Sequence, residues 1–289
     1  MIETIYIARH GFRMNWVNSN WKNETGLPRD PPLAVFGVSQ AQEVAEYFLT
    51  LPEAQRPTAI FSSPYYRCLQ TSKPVSNALG IPVYVEHGLS EWYSPVAPGT
   101  GLHPRPGSAA SLRAYFDEID ADAWASIWYP PRVGEDVAEV HARTAGFLDA
   151  FVPEVERACP GGRAHTRILL VSHAATTIAL ARALVGDPAL PMRAGCCSLT
   201  EVVRKRDVIP ILGGWEPRLL GYGKHLKEGA SREWGFEDIE IADGKVSDVL
   251  VLVYMCADPE QVIEDPGIPG AEHEKDEPVG LQVVLTSNL

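Results

Sequence analysis

The chain has 289 residues, 45% of them hydrophobic, and a formal net charge of −12. That is enough apolar material to bury a full core, while the acidic balance argues against direct binding to nucleic acid, whose phosphates demand a basic surface. No apolar run reaches the roughly 18 residues that span a bilayer and no signal-peptide pattern opens the chain, so a membrane role and export are not expected.

The first predicted strand is the apolar run Ile5-Tyr6-Ile7-Ala8, which stops at Arg9-His10-Gly11. A cation, a titratable nucleophile and a permissive glycine thus follow directly from a buried strand. In open α/β sheets ligands bind beyond the carboxyl ends of strands, so this is where a site is expected. Asn15 to Pro32 is polar and rich in Trp, Asn and Pro, and reads as a long loop over that strand end. Ser39 then reads as a helix N-cap with Gln42 completing a capping box, and the apolar spacing of Val38, Ala41, Val44, Ala45 and Phe48 predicts a helix over 39–51.

Thr58 to Phe61 reads as a second strand, ending at Ser62-Ser63-Pro64, where a capping serine and an N1 proline announce a helix that stops at Gly80. Pro82 to Val85 is a third strand, leading into the loop His87-Gly88-Leu89-Ser90-Glu91-Trp92. Residues 95–107 read as a lid or rim loop, with His87 and His103 exposed by default. Helices are predicted over 109–119 and 136–158, then a fourth, wholly apolar strand over 168–171, followed by Ser172-His173-Ala174 and a helix to Val185. Continuous apolar strands separated by helices predict an α/β fold with a mainly parallel central sheet covered by helices on both faces.

Short strands are expected near 199–203 and 239–241 and over 248–255. The domain assigned to residues 1–257 is followed by an acidic, Pro/Gly-rich tail, 258–289, expected to be mobile. Its apolar end, 281–285, reads either as an edge strand or as a peptide for a protein-complex partner, and an exposed edge strand would also support a homodimer. Five cysteines form no C-x-x-C pair and leave one over, which suits the reducing cytoplasm or nucleus and lacks structural zinc spacing.

Arg9-His10, Arg67 and His173 all follow strand ends that share one edge of a parallel sheet, so they can converge. Two arginines and two histidines supply the donors a phosphate dianion needs, and the helix that carries Arg67 aims its N-terminal amides at the same edge. Glu91 is the available proton donor or acceptor. The scheme calls for a phosphorylated substrate and for no metal or cofactor.

Arg9-His10-Gly11, Ser63-Pro64 with Arg67 and Gln70-Thr71, and Ser172-His173-Ala174 resemble, in order, the motifs of the histidine phosphatase superfamily, the phosphoglycerate-mutase-like three-layer α/β/α fold. The resemblance covers about residues 1–255 and implies phosphomonoester hydrolysis through a phosphohistidine. It makes His10 the nucleophile, Arg9, Arg67 and His173 the phosphoryl ligands, and Glu91 the acid/base, protonated for the first step. Arg-His-Gly-Phe-Arg with Asn15-Trp16, together with Leu89-Ser90-Glu91-Trp92, looks closest to two branches. These are the ubiquitin-associated and SH3-domain-containing phosphatases and the fungal transcription factor IIIC tau subunit, and the second adds the alternative of an assembly subunit with weak or no catalysis. Arg13, Asn15 and Ala174 are assigned by the same resemblance as substrate contacts.

Overall fold

The computed structural model describes residues 1–242, 245–248, 267–269 and 278–282. In chain order the first half is β1 (Thr4–Arg9), α1 (Val35–Thr50), β2 (Ala59–Ser62), α2 (Tyr66–Leu79), β3 (Val83–Val85), α3 (Ala109–Leu112), β4 (Trp128–Tyr129) and α4 (Val137–Ala158). The second half is β5 (Arg167–Ser172), α5 (Ala174–Val185), β6 (Ala194–Cys196), β7 (Leu199–Arg204), β8 (Trp215–Tyr222), β9 (Ser231–Trp234), β10 (Ile239–Ala242), β11 (Lys245–Asp248) and β12 (Gly280–Leu281). The central sheet runs β3-β2-β5-β1-β7-β8. The four strands from β3 to β1 are mutually parallel, whereas β7 and β8 are antiparallel to their neighbours.

Side chains alternate across a strand, and both faces of the parallel strands are buried. Ile5, Ile7, Phe61, Ile168 and Leu170 face Phe147, Leu148 and Phe151 of α4 and Ile178 and Leu184 of α5. Tyr6, Ala8, Ile60, Leu169 and Val171 face Val44 and Phe48 of α1 and Leu69 and Val75 of α2. The result is the expected three-layer α/β/α arrangement. Among the described residues no helix is long and apolar enough to cross a membrane.

Several local expectations are corrected. α1 starts one turn earlier than Ser39, whose hydroxyl merely bonds back to the Val35 carbonyl. The start is set from outside the helix: the Ala34 N–H donates to the Phe12 carbonyl, and Gly37 packs so closely that a Cβ there would sit 2.2 Å from the Phe12 oxygen. α2 starts after Pro64, with Tyr65 at its N-cap. The helix predicted over 109–119 is a single turn, because the chain leaves it to bridge Ile119 to Val83 and cover the edge strand β3.

Strands β4, β6, β8 and β9 were not expected. β8 carries Pro217, which lacks an N–H; it is accommodated because β8 lies at the sheet edge and its register with β7 shifts there. α4, by contrast, opens as predicted, with a reciprocal capping box between Asp136 and Glu139. β11 ends at Asp248, so the predicted strand over 248–255 lies otherwise outside the described residues. Of the tail, Ile268 bridges Leu102, and Gly280–Leu281 pairs with Trp128–Tyr129. Residues 258–266, 270–277 and 283–289 lie outside the described residues.

Candidate active site

His10 follows the end of β1, with its backbone N–H on the Ser172 carbonyl of β5, and its side chain is 1% exposed. Its Nδ1 lies 2.8 Å from the Gly11 carbonyl oxygen. A carbonyl can only accept, so Nδ1 carries the proton and Nε2 keeps its lone pair. Burial first, then the charges of Arg67 and Arg9, hold the His10 pKa well below the ordinary histidine value, so the ring is neutral. Gly11 is required for space: a Cβ would lie 2.6 Å from the Gly37 oxygen, where the chain after β1 touches α1.

Arg67 occupies the first turn of α2 and is 1% exposed. Its Nη1 donates to Asp30 Oδ1 at 2.9 Å, and its Nη2 to Glu91 Oε2 at 3.1 Å. Burial opposes the charge, but Asp30 and Glu91 outweigh it and raise the Arg67 pKa. The other two residues of this motif hold the backbone of the site. Gln70 Oε1 accepts the Leu33 N–H at 2.7 Å, and Thr71 Oγ1 accepts the Gly11 N–H at 3.0 Å. Spacings of three and four residues put Arg67, Gln70 and Thr71 on one face of the helix.

His173, the N-cap residue of α5, has Nδ1 3.2 Å from Glu91 Oε2 and Nε2 2.8 Å from Ser63 Oγ. Burial lowers its pKa to about 4 against the pull of Glu91. Nδ1 also lies 3.0 Å from Arg67 Nη2, which can only donate, so the neutral ring has two tautomers: Nδ1 accepts from Arg67 while Nε2–H donates to Ser63, or Nδ1–H donates to Glu91 while Nε2 accepts the Ser63 hydroxyl. The His10 and His173 ring centres are 5.3 Å apart. Arg9 donates from Nη1 to the carbonyls of Ala194, at 2.7 Å, and of Arg232, so the small β6–β9 ribbon holds this guanidinium.

Glu91 departs from the expected protonation. Burial raises its pKa, but His173, Arg67 and Arg13 together pull it below the usual carboxylate range, so it is ionised at rest. In this state its carboxylate holds the Arg67 Nη2 donor beside His173.

Arg13 stacks over Trp16 at 4.3 Å, and its pKa is lowered to about 10 by burial and by Arg67. It belongs to the same field of positive charge. Ala174 opens α5, whose first amides have no partner within the helix. Asn15 is exposed on the short turn Met14–Trp16 and is not brought into this group. His87 and His103, expected at the surface, are buried; each stacks on a tyrosine, Tyr129 and Tyr93 respectively. A narrow cleft, partly open to solvent, lies beside Glu91 and is lined also by Tyr65, Tyr93, His103 and Arg105.

Two participants escaped the sequence. Asp30 lies in a loop with no motif, yet it pairs with Arg67 and also accepts the Tyr66 N–H at 2.8 Å. It therefore takes an N-terminal amide of α2 that was expected to face the ligand. Ser63, a predicted helix cap, serves His173 instead. The only signal for Asp30 was a carboxylate inside a long loop placed over a strand end.

His10, Glu91 and His173 each bring one potential metal-ligand atom within 4.8 Å of the others. Arg9, Arg13 and Arg67 crowd the same space, and their positive field opposes a cation and favours an oxyanion.

The family model of the histidine phosphatase superfamily (branch 1) matches residues 5–211. The transcription factor tau 55 kDa subunit of Saccharomyces cerevisiae is 35% identical over 264 residues, covering 82% of this chain and 59% of that protein. The ubiquitin-associated and SH3 domain-containing protein A of Mus musculus is 30% identical over 188 residues, covering 64% of this chain and 28% of that protein. This chain thus spans less than two thirds of either relative. The crystal structure of the ecdysone phosphate phosphatase from Bombyx mori in complex with tungstate superposes with a TM-score of 0.55 at 18% identity, over 76% of this chain and 93% of that one. At that identity the likeness is one of fold.

Proposed function

Because this chain belongs to the histidine phosphatase superfamily, we propose that it hydrolyses phosphomonoesters through a phosphohistidine formed on His10. The observation that carries this reading is the hydrogen bond from His10 Nδ1 to the Gly11 carbonyl, which leaves a neutral ring with its Nε2 lone pair beside a cluster of arginines.

The chemistry follows from those groups. The phosphoryl oxygens of the substrate replace the Glu91 carboxylate as partners of Arg67 and His173, with Arg9, Arg13 and the first amides of α5 nearby. The incoming dianion removes the pull that keeps Glu91 ionised, so its pKa rises and it takes up a proton. His10 Nε2 attacks phosphorus, the ester P–O bond breaks, and Glu91 gives its proton to the leaving oxygen. Glu91 then takes a proton from water, which attacks the phosphoryl group; the N–P bond breaks, and phosphate and neutral His10 are released. The arginines supply the positive charge that this transfer needs at the equatorial oxygens. An acid must touch the leaving oxygen, so the leaving group lies in the cleft beside Glu91.

The test is hydrolysis of a generic aryl phosphate by the purified chain. His10→Ala should lower the rate by at least about 10³-fold, the scale of losing a nucleophile. Wild-type protein should trap acid-labile phosphate on His10. Equal rates for the two proteins would sink the reading.

The similarity to the tau 55 kDa subunit favours a second, compatible reading: a phosphatase-like subunit of a transcription factor assembly, located in the nucleus and held through residues 258–289. Pull-down of the other tau subunits by the full chain, but not by a chain ending at Ala257, would support it. Undiminished capture by the shortened chain would remove the tail from consideration.

A further inference from the structure

Glu91 sits at the end of a loop that has no regular pairing beyond one short turn, His87–Leu89, yet acid/base chemistry needs its carboxylate placed closely. The preceding backbone is held in an unusual way. Three consecutive carbonyls, those of Gly88, Leu89 and Ser90, each accept a hydrogen bond from a buried side chain. Arg143 Nη1 of α4 donates to Gly88 O at 3.0 Å, Ser172 Oγ at the end of β5 to Leu89 O at 2.7 Å, and Thr176 Oγ1 of α5 to Ser90 O at 2.9 Å. Ser172 and Thr176 are wholly buried and Arg143 is 5% exposed. The loop's own start is pinned by Glu86, which accepts the Gly88 N–H at 2.8 Å as well as donors from Trp124, Ser126 and Ile127.

Two of these three donors flank His173 on the strand–helix junction that delivers it. Residues 91 and 173 are far apart in the chain, and their relative position has no covalent guarantee. Ser172 and Thr176 supply one, because they fasten the Glu91 loop to the junction that carries His173. Thr176 acts on the carbonyl immediately before Glu91, so it has the shortest lever on the carboxylate.

We propose that Thr176 is a positioning residue that registers Glu91 against His173, so that the acid meets the leaving oxygen of a phosphoryl group bound in the pocket. This assignment rests on the reading of Glu91 as acid/base. Thr176 touches no substrate atom; its hydroxyl acts through the Ser90 carbonyl. Misplacement of a catalytic group by about an ångström can cost on the order of 10²-fold in rate.

The experiment compares two substrates on the full chain: an alkyl phosphate, whose leaving oxygen needs a proton, and p-nitrophenyl phosphate, whose leaving group does not. Thr176→Val removes the hydroxyl and keeps the shape. It should lower kcat/KM on the alkyl phosphate, which reports the steps up to phosphohistidine formation and so leaves out the later proton transfer from water, by roughly 10-fold, a fraction of a full acid/base contribution. The effect on p-nitrophenyl phosphate should be below about 3-fold, and Thr176→Ser should restore the alkyl rate. If Thr176→Val does not fold, Ser172→Ala, which frees the neighbouring Leu89 carbonyl, should show the same dependence on leaving group. Equal losses on both substrates, or no loss on either, would overturn the assignment while leaving the phosphatase reading in place. A wild-type chain inactive on both substrates would defeat that reading, and this assignment with it.

Discussion

The parallel half of the sheet and the loops that roof it contribute to the pocket in different ways. His10, Arg67 and His173 are fixed by elements that are themselves buried on both faces, so each side chain inherits a position from β1, α2 or the β5–α5 junction. Asp30 and Glu91 come from irregular segments and are held by groups from other elements: Asp30 by Arg67 and the Tyr66 amide, Glu91 by Arg67, His173 and the clamped backbone before it. Strand ends and the helix after β2 supply the histidines and the positive charge, while loops supply the carboxylates that meet them. The difference teaches that the loop side depends on the strand side more than the reverse. Arg67 is where the two meet, since it binds both loop carboxylates.

Breaking that junction should have the largest effect. Arg67→Met removes the guanidinium proposed to hold the phosphoryl group and strands Asp30 as a buried carboxylate without its ion-pair partner. Aryl phosphate turnover should fall by about 10²-fold or more, and stability by about 3–5 kcal/mol in chemical denaturation. Asp30→Asn is the loop-side counterpart. It should cost about 1–3 kcal/mol and raise KM more than it lowers kcat, because Arg67 remains charged but less well held. A loss as large as that of Arg67→Met would mean that the loop, not the helix, places the guanidinium.

The strand side should also be the acid-labile side. His10 and His173 are neutral when folded, His173 with a pKa of about 4 and His10 well below its ordinary value. Between pH 6.5 and 4 the unfolded chain takes up protons that the folded chain resists, so their contribution is fully present above pH 6.5 and is lost as pH falls. The depressed Glu91 carboxyl acts in the same direction below that range. The melting temperature should therefore drop steadily from pH 6.5 to 4, and His173→Asn should flatten the drop. An unchanged slope would show that His173 is not held neutral.

The smallest effects separate two helix starts. Asp136→Ala should destabilise by about 1 kcal/mol through loss of its capping box, whereas Ser39→Ala should stay within about 0.5 kcal/mol. Thermal unfolding of the two variants resolves the difference. A larger cost at Ser39 would restore it as a cap.

Sequence alone determined the layered α/β fold, the order of the parallel strands' chemistry, and His10, Arg67 and His173 as converging groups. It could do so because apolar runs with period-two burial and strand-end motifs are local signals, and parallel topology gathers strand ends on one edge. Tertiary structure alone decided the rest. α1 begins at Val35 because Phe12 and Gly37 meet across the fold, and Ser63 serves a histidine 110 positions away instead of a helix. Glu91 is ionised at rest because Arg67 and His173 reach it, which no spacing in the chain announces. Asp30 is legible only once α2 is seen to begin on that carboxylate. Local pattern sets which elements form, while charges and hydrogen-bond partners from distant segments set where a helix starts and what protonation state a carboxylate holds.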